Sequence, residues 1–343
     1  MKKTVLAIST LFIIAACQAQ IGPDALTVMT HDSFVVSDEV LAAFEEEHGV
    51  KVEILLSGDA GSMLNKAILA KGAPLADVIY GVDNTYLSRA LDEGIFEPYE
   101  SPLLAVIPDG FELDPAHGAL PVDYGDVCLN YEIAYFEENS LRVPDSLEDL
   151  LLPEYRGLLT VEHPATSSPG LAFLFATIGH FGEEGYLGFW QGLVENEVNV
   201  VSDWETAYYS EFSQWGGTDP LVVSYGSSPP VEMIFAETPL EAPPTGAIVE
   251  DGSCFRQVEF AGILAGTENR ELAEAWIDFM LSVTFQEDMP LNMFVFPVNP
   301  EAQLQAEFVD YLAVPENPVS LDPALIAAHR EDWIRAWTET VLR

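Results

Sequence analysis

From Leu26 onward the sequence switches between two periods, and that switching leaves few folds open. Residues 26–29 are an apolar run of strand length. Ser37 then opens a stretch in which Val40, Leu41 and Phe44 fall on one helical face, with Asp38 and Glu39 in its first turn, where carboxylates complement the helix dipole. Gly49 ends this stretch, and Val50, Val52 and Ile54 alternate with polar residues as a second strand. After Ser57-Gly58-Asp59 the helical period returns, with Met63, Leu64, Ala67 and Ile68 inward and Gly72 at its end; residues 78–80 form the next strand. Strands and helices in alternation predict mostly parallel sheets covered by helices on both faces, an α/β protein.

A chain of 343 residues exceeds one comfortable core, so two lobes are expected. An apolar stretch within residues 121–131 can carry the chain from one lobe to the other, and residues 257–264 can bring it back. The division is then 26–125 plus 262–343 for the first lobe and 126–261 for the second, with helices near 271–281 and 324–341 returning to the first. Ligands of such sheets sit in the crevice between the lobes. Trp333 and Trp337, four apart, read as one apolar face of the last helix.

The N-terminus assigns the compartment. Lys2 and Lys3, an apolar run over residues 5–14 and Ala15-Ala16-Cys17 read as a lipoprotein signal peptide, 1–16, with Cys17 lipidated as the mature N-terminus and 17–25 as a tether. The run is too short for a permanent membrane span, so membrane contact is expected through the lipid alone, on a periplasmic or cell-surface lipoprotein. Without Lys2 and Lys3, 11 basic residues face 56 acidic ones, a net charge of about −45 in place of −43. That field excludes nucleic acid as a partner. Two cysteines remain, Cys128 and Cys254, and an even pair in an exported chain is read as a disulfide. Neither has a second Cys or His at ligand spacing, so no metal site is expected.

Two loops carry the functional signal: Thr166-Ser167-Ser168-Pro169-Gly170 after strand-like residues 158–161, and Tyr225-Gly226-Ser227-Ser228-Pro229 after residues 221–224. Serine at a cap with proline in the first helical turn is the preferred way to open a helix. The serines are either caps alone or caps that also hold a polar or anionic ligand at paired helix starts.

Taken in order, Thr30-His31-Asp32-Ser33-Phe34, Ala76-Asp77-Val78, Asp123-Tyr124-Gly125, the two serine loops, Trp204 with Ala207-Tyr208, and Arg256-Gln257-Val258-Glu259 resemble the thiamine-binding proteins of bacterial ABC importers. The similarity runs from about Leu26 to the Trp333-Ile334-Arg335-Ala336-Trp337 helix. It implies a type II periplasmic binding protein: two α/β lobes joined by two crossing strands, a ligand cleft between them, and a monomer that hands its cargo to a membrane permease. It also implies ligand contacts at Asp59 and Ala60, Ser167 and Ser168, Trp204, and Tyr225, Gly226, Ser227 and Ser228. Phe294 stands where relatives place a tryptophan, His31 where some place a tyrosine, and Val231 at another aromatic position. Thiamine or its mono- and diphosphate would be transported ligand, not cofactor: flat rings for Trp204 and Tyr225, a cation for Asp59, and an arm for the serines.

Two rival functions have their own residues. Tyr208-Tyr209 resembles the paired tyrosines of ferric-ion-binding relatives, although consecutive helical residues point about 100° apart and predict one buried ring and one at the surface. Thiaminase I shares the two-lobed fold and uses a cleft cysteine with a carboxylate base, for which Cys128 and Glu259 are the candidates. A disulfide at Cys128 removes that nucleophile.

Overall fold

The computed structural model describes residues 25–250 and 252–342; the expected signal peptide, 1–16, Cys17 and the expected tether, 17–25, as far as residue 24 lie outside them. The first lobe opens with β1 (Ala25–Thr30), α1 (Asp38–His48), β2 (Lys51–Leu56), α2 (Ala60–Leu69), β3 (Val78–Asp83), α3 (Leu87–Asp92) and β4 (Phe96–Glu97). Local chemistry explains these boundaries. The Ser37 side chain accepts from the Val40 amide, and Gly49 ends α1 at φ 67°, a conformation that suits a residue without Cβ. The pattern of β1 buries Leu26, Val28 and Met29, and β1 pairs in parallel with β2 on one side and β3 on the other.

β5 (Leu120–Glu132) then leads into the second lobe, built from α4 (Ile133–Glu138), β6 (Leu159–Glu162), α5 (Ser168–Glu195), β7 (Asn199–Val201), β8 (Leu221–Tyr225), α6 (Ser228–Ile234) and β9 (Thr245–Ile248). The chain returns along β10 (Phe255–Leu264) and continues through α7 (Arg270–Leu281), α8 (Val283–Gln286), α9 (Met289–Asn292), β11 (Phe296–Pro297), α10 (Ala306–Tyr311) and α11 (Pro323–Val341). The strands form one sheet in the order β2-β1-β3-β10-β5-β8-β6-β7. Its outer pairs are parallel, while the long β5 and β10 run antiparallel to each other and to their neighbours β8 and β3. At about 3.3 Å per residue β5 spans on the order of 40 Å, enough to belong to both lobes. One half of it pairs with β10 and the other with β8 and β9.

The last helix corrects the expected division. α11 packs on α5 of the second lobe, where the Trp337 ring meets Trp190 at 5.4 Å and Trp333 meets Phe175 at 5.7 Å. The physical reason lies in α5: its first three turns are apolar on all sides and wholly buried, so they need a cover away from the sheet. α10 likewise lies on α6. The first lobe therefore closes near β11, which pairs with β5 at Tyr124 and Asp123, and the rest of the chain covers the second lobe. Arg330 of α11 reaches back over the Tyr86 ring at 5.0 Å and ties the two halves together.

Cys128 on β5 and Cys254 just before β10 form a disulfide across 126 residues. Closing so long a loop restricts the unfolded chain, so a Cys128→Ala/Cys254→Ala variant should lose about 2–5 kcal/mol of stability. Urea unfolding of oxidised wild type against the variant measures it; equal midpoints would show that the bond contributes nothing.

Candidate functional site

A cavity of about 210 Å³ opens between the lobes. The first lobe brings His31 and Asp32 from the end of β1, Asp59 and Ala60 from the start of α2, Glu259 from β10, and the turn carrying Met293 and Phe294. The second brings Ser168 from the start of α5, Trp204 and Tyr209, and Tyr225 from the end of β8.

Asp59 is where the lobes meet. As the N-cap of α2 its Oδ1 accepts from the Ala60 amide, the first of the helix, at 2.7 Å. The same carboxylate takes the Ser168 amide at 3.3 Å and the Trp204 amide at 3.4 Å, both from the second lobe. Burial nevertheless dominates and pushes its pKa up to about 6. Ser168 adds a second tie: its hydroxyl donates to Asp83 at the end of β3 and accepts from Gln257 Nε2.

The aromatic wall is built on Trp204. Its ring stacks on buried Tyr208 at 5.0 Å and 16°, its Nε1 donates to Ser224 Oγ at 3.0 Å, and the edges of Tyr209 and Phe294 close the sides. The chain winds here in a wide π-type turn over Thr206–Glu211, a form concentrated at functional sites. Tyr225 lies flat against the crossing strand because Gly125 has no side chain: a Cβ there would sit 2.8 Å from the Tyr225 ring. Its hydroxyl donates to Gln257 Oε1 at 3.1 Å. Phe294 holds a left-handed φ of 60°, sparsely populated for a bulky residue, and its carbonyl accepts from Ser227 Oγ.

Beneath the cavity the sheet carries an acid pair. Tyr80 donates to Asp123 Oδ2 at 2.5 Å, and Glu259 Oε2 lies 3.3 Å from the same hydroxyl. Burial raises both carboxyls, and Glu259 further because Asp123 is its neighbour, so the pair holds a proton at neutral pH. His31 Nε2 stands 3.5 Å from Glu259 Oε1 without a hydrogen bond, and burial lowers its pKa to about 4. The imidazole is neutral there.

The expected site residues divide. Asp59, Ala60, Ser168, Trp204, Tyr225 and Phe294 line one cavity. Ser167, Gly226, Ser227 and Ser228 do not. Ser167 and Ser227 occupy the N-cap positions with proline in the first turn, yet neither side chain bonds a helix amide, so the capping role also fails in its usual form. Gly226 and Ser227 face a separate cavity beside Arg256, and Ser228 Oγ pairs with Ser224 Oγ at 3.2 Å. The reason is register: β8 delivers Tyr225 to the cleft, and the tight turn that follows sends the Ser227 hydroxyl to the Phe294 carbonyl and the Ser228 hydroxyl to Ser224. Val231 is buried away from the cleft, in a cluster with Phe296 and Phe308. Met293, Asn292 and Glu205 line the cavity without any signal in their own sequence; Tyr209 has one, in the Tyr208-Tyr209 pair.

Two α/β lobes, paired crossing strands and a cleft whose walls come from both lobes define a protein that captures a small solute. The chain belongs to the family of bacterial extracellular solute-binding proteins, whose profile matches residues 73–315. It is 30% identical to the thiamine-binding periplasmic protein of Escherichia coli (strain K12) over 324 residues, covering 93% of this chain and 94% of that one. The corresponding protein of Brucella suis biovar 1 is 27% identical over 345 residues, covering 99% of both. Among solved structures, a periplasmic thiamin binding protein superposes with a TM-score of 0.80 at 29% identity, over 95% of this chain and 98% of that one.

Proposed function

We propose that this protein captures thiamine outside the cytoplasm and delivers it to the permease of an ABC importer. One observation carries the reading beyond the likeness to relatives: an aromatic wall at Trp204 faces the carboxylate of Asp59 in a single cavity. A flat cation suits both sides, since an aromatic face contributes about 0.5–2 kcal/mol to a cation and the Asp59 carboxylate gains a partner of opposite charge. The cavity needs both lobes, so a ligand that touches Asp59 and Trp204 together favours the closed form.

The rivals lack their chemistry here. Tyr208 is buried and donates to Glu232, while Tyr209 is half exposed, so the two phenols do not converge on one ion. Cys128 is bonded to Cys254 and offers no thiolate to attack a substrate. Our reading is capture without chemistry, and we propose with it a monomer tethered through lipid at Cys17; the mass of the mature N-terminal peptide from membranes checks the tether. Calorimetry on the mature chain should give one thiamine site with quenched tryptophan emission, and ferric citrate should bring no visible charge-transfer band. Absence of thiamine binding would overturn the proposal.

A further inference from the structure

We infer that this cleft gives up a proton as it takes its cation: the proton held between Asp123 and Glu259 leaves for solvent when thiamine enters, so capture tightens as pH rises. The inference rests on the thiamine reading above. Glu259 of β10 and Asp123 of β5 stand directly opposite each other on paired strands, and both are buried. Like charges in that register repel, so the two do not ionise together without a third charge to balance them. Tyr80 does not supply the balance. Its single hydrogen goes to Asp123 Oδ2 at 2.5 Å, and the 3.3 Å contact between its oxygen and Glu259 Oε2 is a full hydrogen bond only if Glu259 brings a hydrogen of its own.

The surroundings are no richer in positive charge. The groups that face the pair are Tyr80 and Asp83 from β3, His31 from the end of β1, Tyr225 from β8 and Asp59 from α2. Of these only His31 could carry a positive charge, and it is neutral, 3.5 Å from Glu259 Oε1 and without a hydrogen-bond partner at Nε2. Among the described residues the cavity lining contains no lysine or arginine. Arg256, three residues from Glu259 and so on the other face of β10, is held by Asp126 through bonds of 2.9 and 2.8 Å. Glu259 itself lines the cavity. A cation seated there is the missing third charge: the O–H bond of Glu259 breaks, its electron pair stays on the carboxylate, and the proton passes to the buffer. An opposite charge about 4–6 Å away favours the ionised carboxyl by roughly tenfold to a thousandfold, enough to empty a group poised near neutrality.

Calorimetry of thiamine on the mature chain at pH 7.5, in buffers of different ionisation enthalpy, counts the proton. Asp59, held up to about 6, is already ionised at that pH and contributes little. The heat should depend on the buffer as expected for about half to one proton released per thiamine, and affinity should rise about three- to tenfold between pH 6.5 and 7.5. An Asp123→Asn/Glu259→Gln variant, whose amides copy the shape of the acids, should release close to none. Asp59→Asn should bind less tightly but release as much as wild type. Thiamine binding with a heat independent of the buffer, or with uptake of a proton, would overturn the inference and leave the proposed function standing. Release that persists in the folded double variant, or that disappears in Asp59→Asn, would overturn the acid pair as its source; the second comparison decides the matter even if the double variant does not fold. Failure to bind thiamine at all would instead refute the function itself.

Discussion

Replacing Trp204 by alanine is expected to weaken thiamine binding by about a hundredfold, the loss typical of a buried tryptophan at the centre of an interface. The residue does three things at once in this cleft. Its ring stacks on Tyr208, its Nε1 holds Ser224, and its amide holds Asp59. Alanine keeps only the amide. Removing so large a buried side chain should also cost about 3 kcal/mol of stability, so affinity has to be read on protein shown to be folded. Trp204→Phe separates the two effects: it preserves a stacking face and should lose tenfold or less. Unchanged affinity in folded Trp204→Ala would mean that the ligand does not lie on this wall.

The second large effect concerns acid. Most proteins lose stability on mild acidification, but this one should gain it between about pH 7.5 and pH 5. Burial holds Asp59 up to about 6 and Glu232 up to about 7, and it raises Asp123, Glu259, Asp83 and Glu162 as well. Across that window the native state keeps protons that the unfolded chain has released, so stability falls as pH rises. His31 opposes the trend, because its depressed pKa of about 4 makes the unfolded imidazole the better base below pH 6.5. Burial lowers His163 too, and two such groups do not offset six carboxyls. Acidification also relieves the self-repulsion of a chain with a net charge of −43. Calorimetric melting should show Tm higher at pH 5 by an order of 5 °C, and a steady decline of Tm with acidification would contradict the assignment of these buried groups as protonated.

Two residues that the resemblance implies for the cleft stand at positions whose secondary structure is legible locally. Asp59 precedes a helical period as an N-cap must, and Trp204 follows a strand at the opening of a helical turn. The serine loops are legible as helix starts but not in their chemistry. Whether a cap oxygen meets its own helix, a carbonyl such as that of Phe294, or a carboxylate such as Asp83 depends on what the other lobe places opposite it. The segment at Met293 and Phe294 carries no such signal, because a left-handed φ at phenylalanine is imposed from outside by its surroundings.

Short-range chemistry is enough to set the alternation of strands and helices, the ends of α1 at Ser37 and Gly49, and the apolar face of the last helix, while composition alone sets the acidic character of the whole. Each of the first three depends on residues within a turn or two of one another. Where the last helix lies is a different matter: Trp333 and Trp337 are readable as a buried face, but the surface they cover depends on α5 being apolar all round. The charge of the cleft is likewise a product of packing. The bond from the Ser168 amide to Asp59 joins residues 109 apart, and it turns a helix start suited to anions into one that already holds a carboxylate. No local pattern encodes that contact, because its energy exists only once the two lobes have brought the helix and the aspartate together.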